Sequence, residues 1–135
     1  MPKYLKMLTA MGFAVLAGVA ATMLPSGVAV YGRHVTTSDW WGSGAGLFLL
    51  CVGLIMSSSA VLMLKRSRYG RPTHIFGWAA ISISGLLANY VAKGDFVVAI
   101  PAFGVSMVLT ALIALYLYGN KNVRDYFHAA TEQIR

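Results

Sequence analysis

The chain has 135 residues, enough for one domain, and its hydrophobic fraction of 58% and mean hydropathy of +0.67 exceed those of ordinary soluble domains. Charged residues make up only 11% of the chain and lie in short clusters between long apolar runs. The net charge of +7 therefore sits at the ends of apolar segments, which argues against the basic face that nucleic-acid binding requires. The composition predicts an integral membrane protein.

Four apolar runs are each at or above the roughly 17 residues that a helix needs to span a membrane. The predicted spans are residues 7–31, 40–64, 75–92 and 96–118, with a tail at residues 119–135. The connections are too short to hold another domain, and the third forces the last two helices into an antiparallel hairpin. The sequence thus predicts one all-α domain, an antiparallel bundle of four transmembrane helices. Within the first span, Pro25 is expected to end or kink the helix.

Basic residues are distributed unevenly between the two sides of the predicted bundle. Nine Lys and Arg residues lie beside the termini and in the second connection, whereas Arg33 and Lys93 lie on the other side. The positive-inside rule then predicts that both termini are cytoplasmic, in a membrane of the bacterial inner type. The first run also imitates a secretory signal peptide, but its length exceeds the roughly 7–15 apolar residues of a signal core and favours a retained helix.

Small residues recur at spacings of three, four and seven in every span, which places them on one helix face. In lipid, such faces let helix backbones approach each other closely. The first span carries Ala10, Ala14, Ala17 and Ala21 in this pattern. The predicted packing residues of the second and third spans are Gly42, Gly46, Gly53, Ser57, Gly77, Ser84 and Asn89. The side-chain amide of Asn89 is expected to hydrogen-bond across helices.

The connection between the first two spans mixes charged and aromatic side chains on the predicted outer side. Candidate partner-binding residues in and beside it are Arg33, His34, Asp39, Trp40 and Trp41. The alternative is that the two tryptophans only anchor the second helix at the membrane interface. Asp39 is also expected to cap the helix that begins at Trp40.

Two basic or amphipathic segments are predicted on the inner side. The second connection carries Lys65, Arg66, Arg68 and Arg71, which either attract anionic lipid headgroups or act only as a topology signal. In the tail, apolar residues repeat at helical spacing: Val123, Tyr126, Phe127, Ala130 and Ile134. This repeat predicts a short amphipathic helix on the inner leaflet.

The sequence shows no catalytic centre and no set of metal or haem ligands. All four acidic residues lie outside the predicted spans: Asp39, Asp95, Asp125 and Glu132. His34 and His74 are expected at opposite faces of the membrane and His128 in the tail, so no pair could bracket one haem. Cys51 is the only cysteine and lies within an apolar run. We therefore expect a protein that is not an enzyme and that binds no cofactor or metal.

The segment from Leu117 to Phe127, with the sequence LYGNKNVRDYF, resembles the ending of many small, poorly characterised bacterial four-span inner-membrane proteins. This resemblance covers about eleven residues, agrees with the membrane class and implies no activity. The chain also resembles four-span multidrug exporters in size, but it lacks their glutamate in the first helix.

Two functions stay open after the sequence has been read. The leading one is contact with lipids and another membrane protein, as an accessory subunit or as an immunity protein against a pore-forming toxin. The alternative is a homo-oligomeric small channel, holin or transporter. The absence of charge within the spans argues against the alternative, because driven transport usually needs an ionisable group there.

Overall fold

A computed structural model describes residues 1–24, 26–30 and 32–132. The elements in chain order are α1 (Lys3–Ala21), β1 (Val28–Val30), β2 (Arg33–Val35), α2 (Thr37–Gly42), α3 (Ala45–Leu64), α4 (Gly70–Lys93), a 3-10 turn (Val97–Ala99), α5 (Ile100–Gly119) and α6 (Lys121–Glu132). The structure is 79% helical, and four of its helices are long and apolar enough to cross a membrane. The predicted all-α fold is confirmed, and the chain has the architecture of a membrane protein.

The region between the first two spans differs most from the prediction. The helix expected over residues 7–31 ends at Ala21, and the helix expected from residue 40 begins at Ala45. Between them, β1 and β2 pair as an antiparallel hairpin with Val30 opposite Arg33. A charge-free run of this kind is compatible with strand or helix, and β-branched valines favour the strand. Pro25, residue 31 and residues 133–135, which also carried predictions, lie outside the described residues.

The third and fourth spans also have revised boundaries. The third was expected from residue 75, but α4 begins at Gly70 and includes Arg71 and Pro72. A proline is tolerated in the first turn of a helix because the amide it lacks would have no partner there. The fourth was expected from residue 96, but α5 begins at Ile100, after the 3-10 turn. The extension of α4 moves His74 from a loop into the helix.

The four long helices pack in the order α1, α3, α4 and α5. The first turn of α1 and the helix α6 lie at one end of the bundle, called here the terminal end, while β1, β2 and α2 form a cap on the opposite, hairpin end. At the terminal end, Leu5 of α1, Met63 of α3 and Leu117 of α5 are fully buried in one cluster. Val123 and Phe127 of α6 belong to the same cluster, so the tail helix turns its apolar face toward the bundle. The cap therefore packs at the hairpin end of the bundle, and α6 packs at the terminal end.

Candidate functional site

Small residues make the closest contacts between neighbouring helices, although not always the residues that the sequence indicated. A Cβ atom at Gly12 of α1 would lie 2.8 Å from the carbonyl oxygen of Met56 on α3. The hydroxyl of Ser57 donates a hydrogen bond to the carbonyl oxygen of Gly12 at 3.4 Å. A Cβ atom at Gly53 would lie 3.2 Å from a methyl group of Val19, and one at Gly77 would overlap Met56. Gly12 was not among the predicted packing residues.

Other predicted packing residues have different roles. Ala10, Ala14, Ala17 and Ala21 are all exposed, so the stripe expected to pack α1 faces away from the bundle. The buried face of α1 contains instead Leu5, Leu8, Thr9, Gly12 and Val19. Gly42 is exposed with open space around it, and Ser84 hydrogen-bonds its own helix at the carbonyl of Ile81. The spacing of the alanines in α1 correctly places them on one helix face. A second face of the same helix also carries residues at such spacings, and that second face is the buried one.

Two of the candidate partner-binding residues tie the hairpin to the rest of the chain. Nη1 of Arg33 donates to the carbonyl oxygen of Ala92 at 3.4 Å, near the last turn of α4. A cation at this position also interacts favourably with the negative end of the helix dipole. The imidazole of His34 contacts the carbonyl oxygen of Ser26. Both side chains therefore have an internal structural role while remaining exposed.

The other three candidates belong to α2. Thr36, rather than Asp39, is the N-cap residue: its hydroxyl oxygen accepts from the amide of Asp39 at 3.2 Å and donates to the Asp39 carboxylate at 2.7 Å. Trp40 is buried, and Trp41 donates from Nε1 to the carbonyl oxygen of Thr22 at 3.3 Å. The ring of Trp41 also covers Gly46, where a Cβ atom would lie 2.6 Å from it. Both tryptophans therefore contribute to packing within the chain.

A cleft of about 560 Å³ lies at the hairpin end, between α2 and the last turns of α4. Its polar lining comes from Ser38, Asp39 and Ser43, and its other wall includes Leu87 and Tyr90. Asp39 is exposed and is the one charged side chain in the lining. The cleft can therefore accept a partly apolar group that carries a positive charge.

Two buried polar atoms near the hairpin end have no hydrogen-bond partner among the described residues: Nε1 of Trp40 and Oδ1 of Asn89. The amide nitrogen of Asn89 donates to the carbonyl oxygen of Asp95, in the turn that follows α4. Asn89 thus fixes the α4–α5 connection and does not bridge two helices as predicted. In the same turn, the carboxylate of Asp95 accepts from the amide of Val97, the first residue of the 3-10 helix, at 2.8 Å.

Basic side chains at the terminal end interact mainly with aromatic rings. The guanidinium of Arg66 lies 4.8 Å from the ring centre of Tyr126, and that of Arg71 lies 4.7 Å from that of Phe127. Both rings belong to α6, so these cation–π contacts join the α3–α4 connection to the tail. Arg68 covers the neighbouring Tyr69, and Lys65 is exposed.

His74 forms a buried polar cluster that the sequence did not reveal. Its ring has no exposed surface, and Nε2 accepts a hydrogen bond from Nε1 of Trp78 at 3.0 Å. Because Nε2 is the acceptor, Nδ1 carries the proton of the neutral ring and donates to the hydroxyl of Ser59 at 2.8 Å. Ser59 in turn donates to the carbonyl oxygen of Met56 at 2.7 Å. Every polar atom of the cluster is paired, and it joins α3 to α4.

Comparison of the chain with protein-family models, curated proteins and solved structures finds no match. The function must therefore be argued from the chain's own surfaces. Within the described part of the chain, no three His, Cys, Asp or Glu side chains are grouped so that they could hold a metal ion. Among the described residues, the cleft beside Asp39 and the outward faces of α1 and α5 are exposed surfaces available for recognition.

Proposed function

We propose that this chain is a non-enzymatic membrane protein that binds another membrane protein at its hairpin end, as an accessory subunit or as an immunity protein against a pore-forming toxin. The observation that carries the proposal is the cleft of about 560 Å³ between α2 and α4, with the exposed carboxylate of Asp39 in its wall. A loop of the partner enters the cleft and places a Lys or Arg side chain beside Asp39. In most protein interfaces, a few such side chains, buried in a pocket of the partner, contribute most of the binding energy.

The cap supplies the rigidity that such recognition needs. Arg33 fixes the hairpin to α4, Thr36 and Asp39 fix the first turn of α2, and Trp41 fixes its last turn to α1. A preformed surface loses less conformational entropy on binding than a mobile loop does. The proposed partner residues Arg33, His34, Trp40 and Trp41 therefore act mostly by holding the cleft in shape, while Asp39 makes direct contact.

Filling the cleft tests this proposal. Gly42 lines the cleft, and a Cβ atom there would meet nothing within 4 Å, so a side chain can be added without displacing the fold. We expect Gly42→Trp to leave thermal stability unchanged and to weaken partner binding by about tenfold or more, because the indole occupies the partner's position. Binding is measured by quantitative co-purification from the native membrane.

Gly104→Trp is the matched control, since Gly104 is an exposed glycine of α5 that also has open space around it and lies outside the cleft. It should co-purify the partner as the wild type does. Equal partner recovery with Gly42→Trp and with the wild type would eliminate the cleft as the binding site.

We further propose that the membrane is a bacterial inner membrane and that the terminal end is cytoplasmic, because nine of eleven basic residues lie beside the termini and the α3–α4 connection. Reporter domains fused after Arg135 or inserted at Ser67 are expected to behave as cytoplasmic. One inserted at Gly32, an exposed position in the hairpin turn, should behave as periplasmic. A periplasmic signal from the fusion after Arg135 would reverse the proposed orientation.

The exposed alanine stripe of α1 favours one second candidate, a homo-oligomer. Ala10, Ala14 and Ala17 face outward and would let the α1 helices of two copies approach closely. This arrangement would make α1 an interface between copies, as in a small channel or holin. Substituting Ala14 by Leu would then dissociate the oligomer in detergent, whereas the heteromeric complex proposed above would persist.

A further inference from the structure

A groove separates α1 from α5 in the half of the bundle nearest the terminal end. It has a volume of about 350 Å³, and its walls include Tyr4, Met7 and Leu8 of α1 and Leu109, Leu112 and Tyr116 of α5. Met7 and Leu112 are each more than half exposed, so the groove opens toward the hydrocarbon of the membrane. An apolar groove that opens to lipid is suited to an acyl chain.

The floor and the terminal end of the groove are well defined. Leu5, Leu8 and Leu117 form the buried cluster behind it. At the terminal end, the rings of Tyr4 and Tyr116 meet edge to face with their centres 6.1 Å apart. This edge-to-face contact joins α1 to α5 at the terminal end of the groove.

Two exposed lysines, Lys3 and Lys121, lie at the ends of α1 and α5 that border this end of the groove. Lys3 lies next to Tyr4 in the sequence and one helical turn, about 5.4 Å, before Met7. Lys121 follows the end of α5 at Gly119, and both lysines are exposed. Neither α1 nor α5 contains an acidic residue, and the acidic residues of α6 are Asp125 and Glu132. The aromatic and basic residues together match the headgroup region of an anionic lipid.

We propose that the groove between α1 and α5 binds an anionic glycerophospholipid of the surrounding leaflet. One acyl chain lies along Met7 and Leu112, and the phosphate lies beside Lys3, Lys121 and the hydroxyl of Tyr4. This site is distinct from the cation–π contacts of Arg66 and Arg71, whose guanidinium groups are directed to aromatic rings. It is also at the opposite end of the bundle from the proposed partner cleft.

Native mass spectrometry of the delipidated full-length protein tests the site. Phosphatidylglycerol and phosphatidylcholine with identical acyl chains are titrated into the detergent-solubilised protein. We expect the anionic lipid to bind about thirtyfold more tightly, since each of the two lysines contributes about 1 kcal/mol to the attraction. Equal affinities for the two lipids would overturn the proposal.

Paired variants then locate the binding. Lys3→Gln combined with Lys121→Gln should lower the affinity for phosphatidylglycerol to that for phosphatidylcholine. The control, Lys65→Gln with Arg68→Gln, removes the same charge from exposed positions on the α3–α4 connection and should leave the preference intact. A control that lowers the preference as much as the test pair would show that charge alone attracts the lipid.

The groove itself is tested by Leu112→Trp, a substitution at a side chain that is 54% exposed. The larger ring fills the groove, so binding of both lipids should fall together. Unchanged binding of phosphatidylglycerol to this variant would show that the acyl chain lies elsewhere and would overturn the site.

Discussion

Substitution of Gly12 by Leu is expected to cause the largest loss of stability of any single change on α1, about 3 kcal/mol in the free energy of unfolding. A Cβ atom at this position would lie 2.8 Å from the carbonyl oxygen of Met56 and 3.0 Å from the Cβ atom of Ala60. Backbone atoms cannot move aside as a flexible side chain can, so α1 must separate from α3. The separation would also break the hydrogen bond from Ser57 to the carbonyl of Gly12.

Gly18→Leu is the matched control because it lies on the same helix and a Cβ atom there would meet nothing within 4 Å. Its midpoint of thermal unfolding in detergent should stay within about 2 °C of the wild type, as for most surface substitutions. A similar loss of thermal stability in Gly12→Leu and Gly18→Leu would mean that leucine destabilises α1 itself and not its packing against α3. That result would contradict the proposed α1–α3 contact at Gly12.

Replacement of His74 by Ala is expected to lower the free energy of unfolding by a similar amount, about 3 kcal/mol. The change leaves a cavity between α3 and α4, and it removes the acceptor of the Trp78 N–H group together with the partner of the Ser59 hydroxyl. An unpaired polar group is costly where water cannot replace the lost bond. Thermal unfolding in detergent or nanodiscs measures the loss.

His128→Ala provides the comparison, since His128 is exposed on α6 and its replacement removes the same side chain from solvent. Trp78→Phe tests the hydrogen bond alone: it keeps an aromatic ring and removes the donor to His74, so an intermediate loss is expected. If His74→Ala is as stable as His128→Ala, the buried cluster contributes nothing and α4 is held by its apolar contacts.

The number and class of the spans could be predicted because lipid imposes a simple requirement on the sequence. A helix that crosses a bilayer must be long, apolar and free of charge, and four such runs are visible between the basic clusters. The same criterion failed between Thr22 and Gly42. There one apolar run continues past Ala21 through β1, and the next begins at Trp40 within α2, and hydropathy does not distinguish these elements from parts of a span.

The buried cluster around His74 was missed for a related reason. The third apolar run begins at Ile75, after Arg71 and Pro72, so the sequence places His74 at the membrane surface and outside the helix. In the structure, the proline fits the first turn of α4, and the ring of His74 turns toward Ser59 on α3. The spacing of four between His74 and Trp78 places them on one face of α4, but the contact of His74 with Ser59 depends on how α4 is rotated against α3. That rotation is set by packing between helices, which sequence periodicity does not contain.

The outward alanines of α1 illustrate the same limit. Ala10, Ala14 and Ala17 share one face, and Thr9, Gly12 and Val19 share another, so the sequence offered two possible packing surfaces. Only the three-dimensional arrangement identifies which one meets α3. The alanine stripe is predicted to pack within the bundle, but it is exposed in the structure. It would instead form the interface between copies in a homo-oligomer.

The binding of another membrane protein at the hairpin end is tested by native mass measurement of the protein, extracted into nanodiscs from its own membrane. We expect a complex that contains this chain with a different membrane protein, and we expect Gly42→Trp to remove that protein while Gly104→Trp does not. A closed ring made of this chain alone, unchanged by Gly42→Trp, would contradict this proposal.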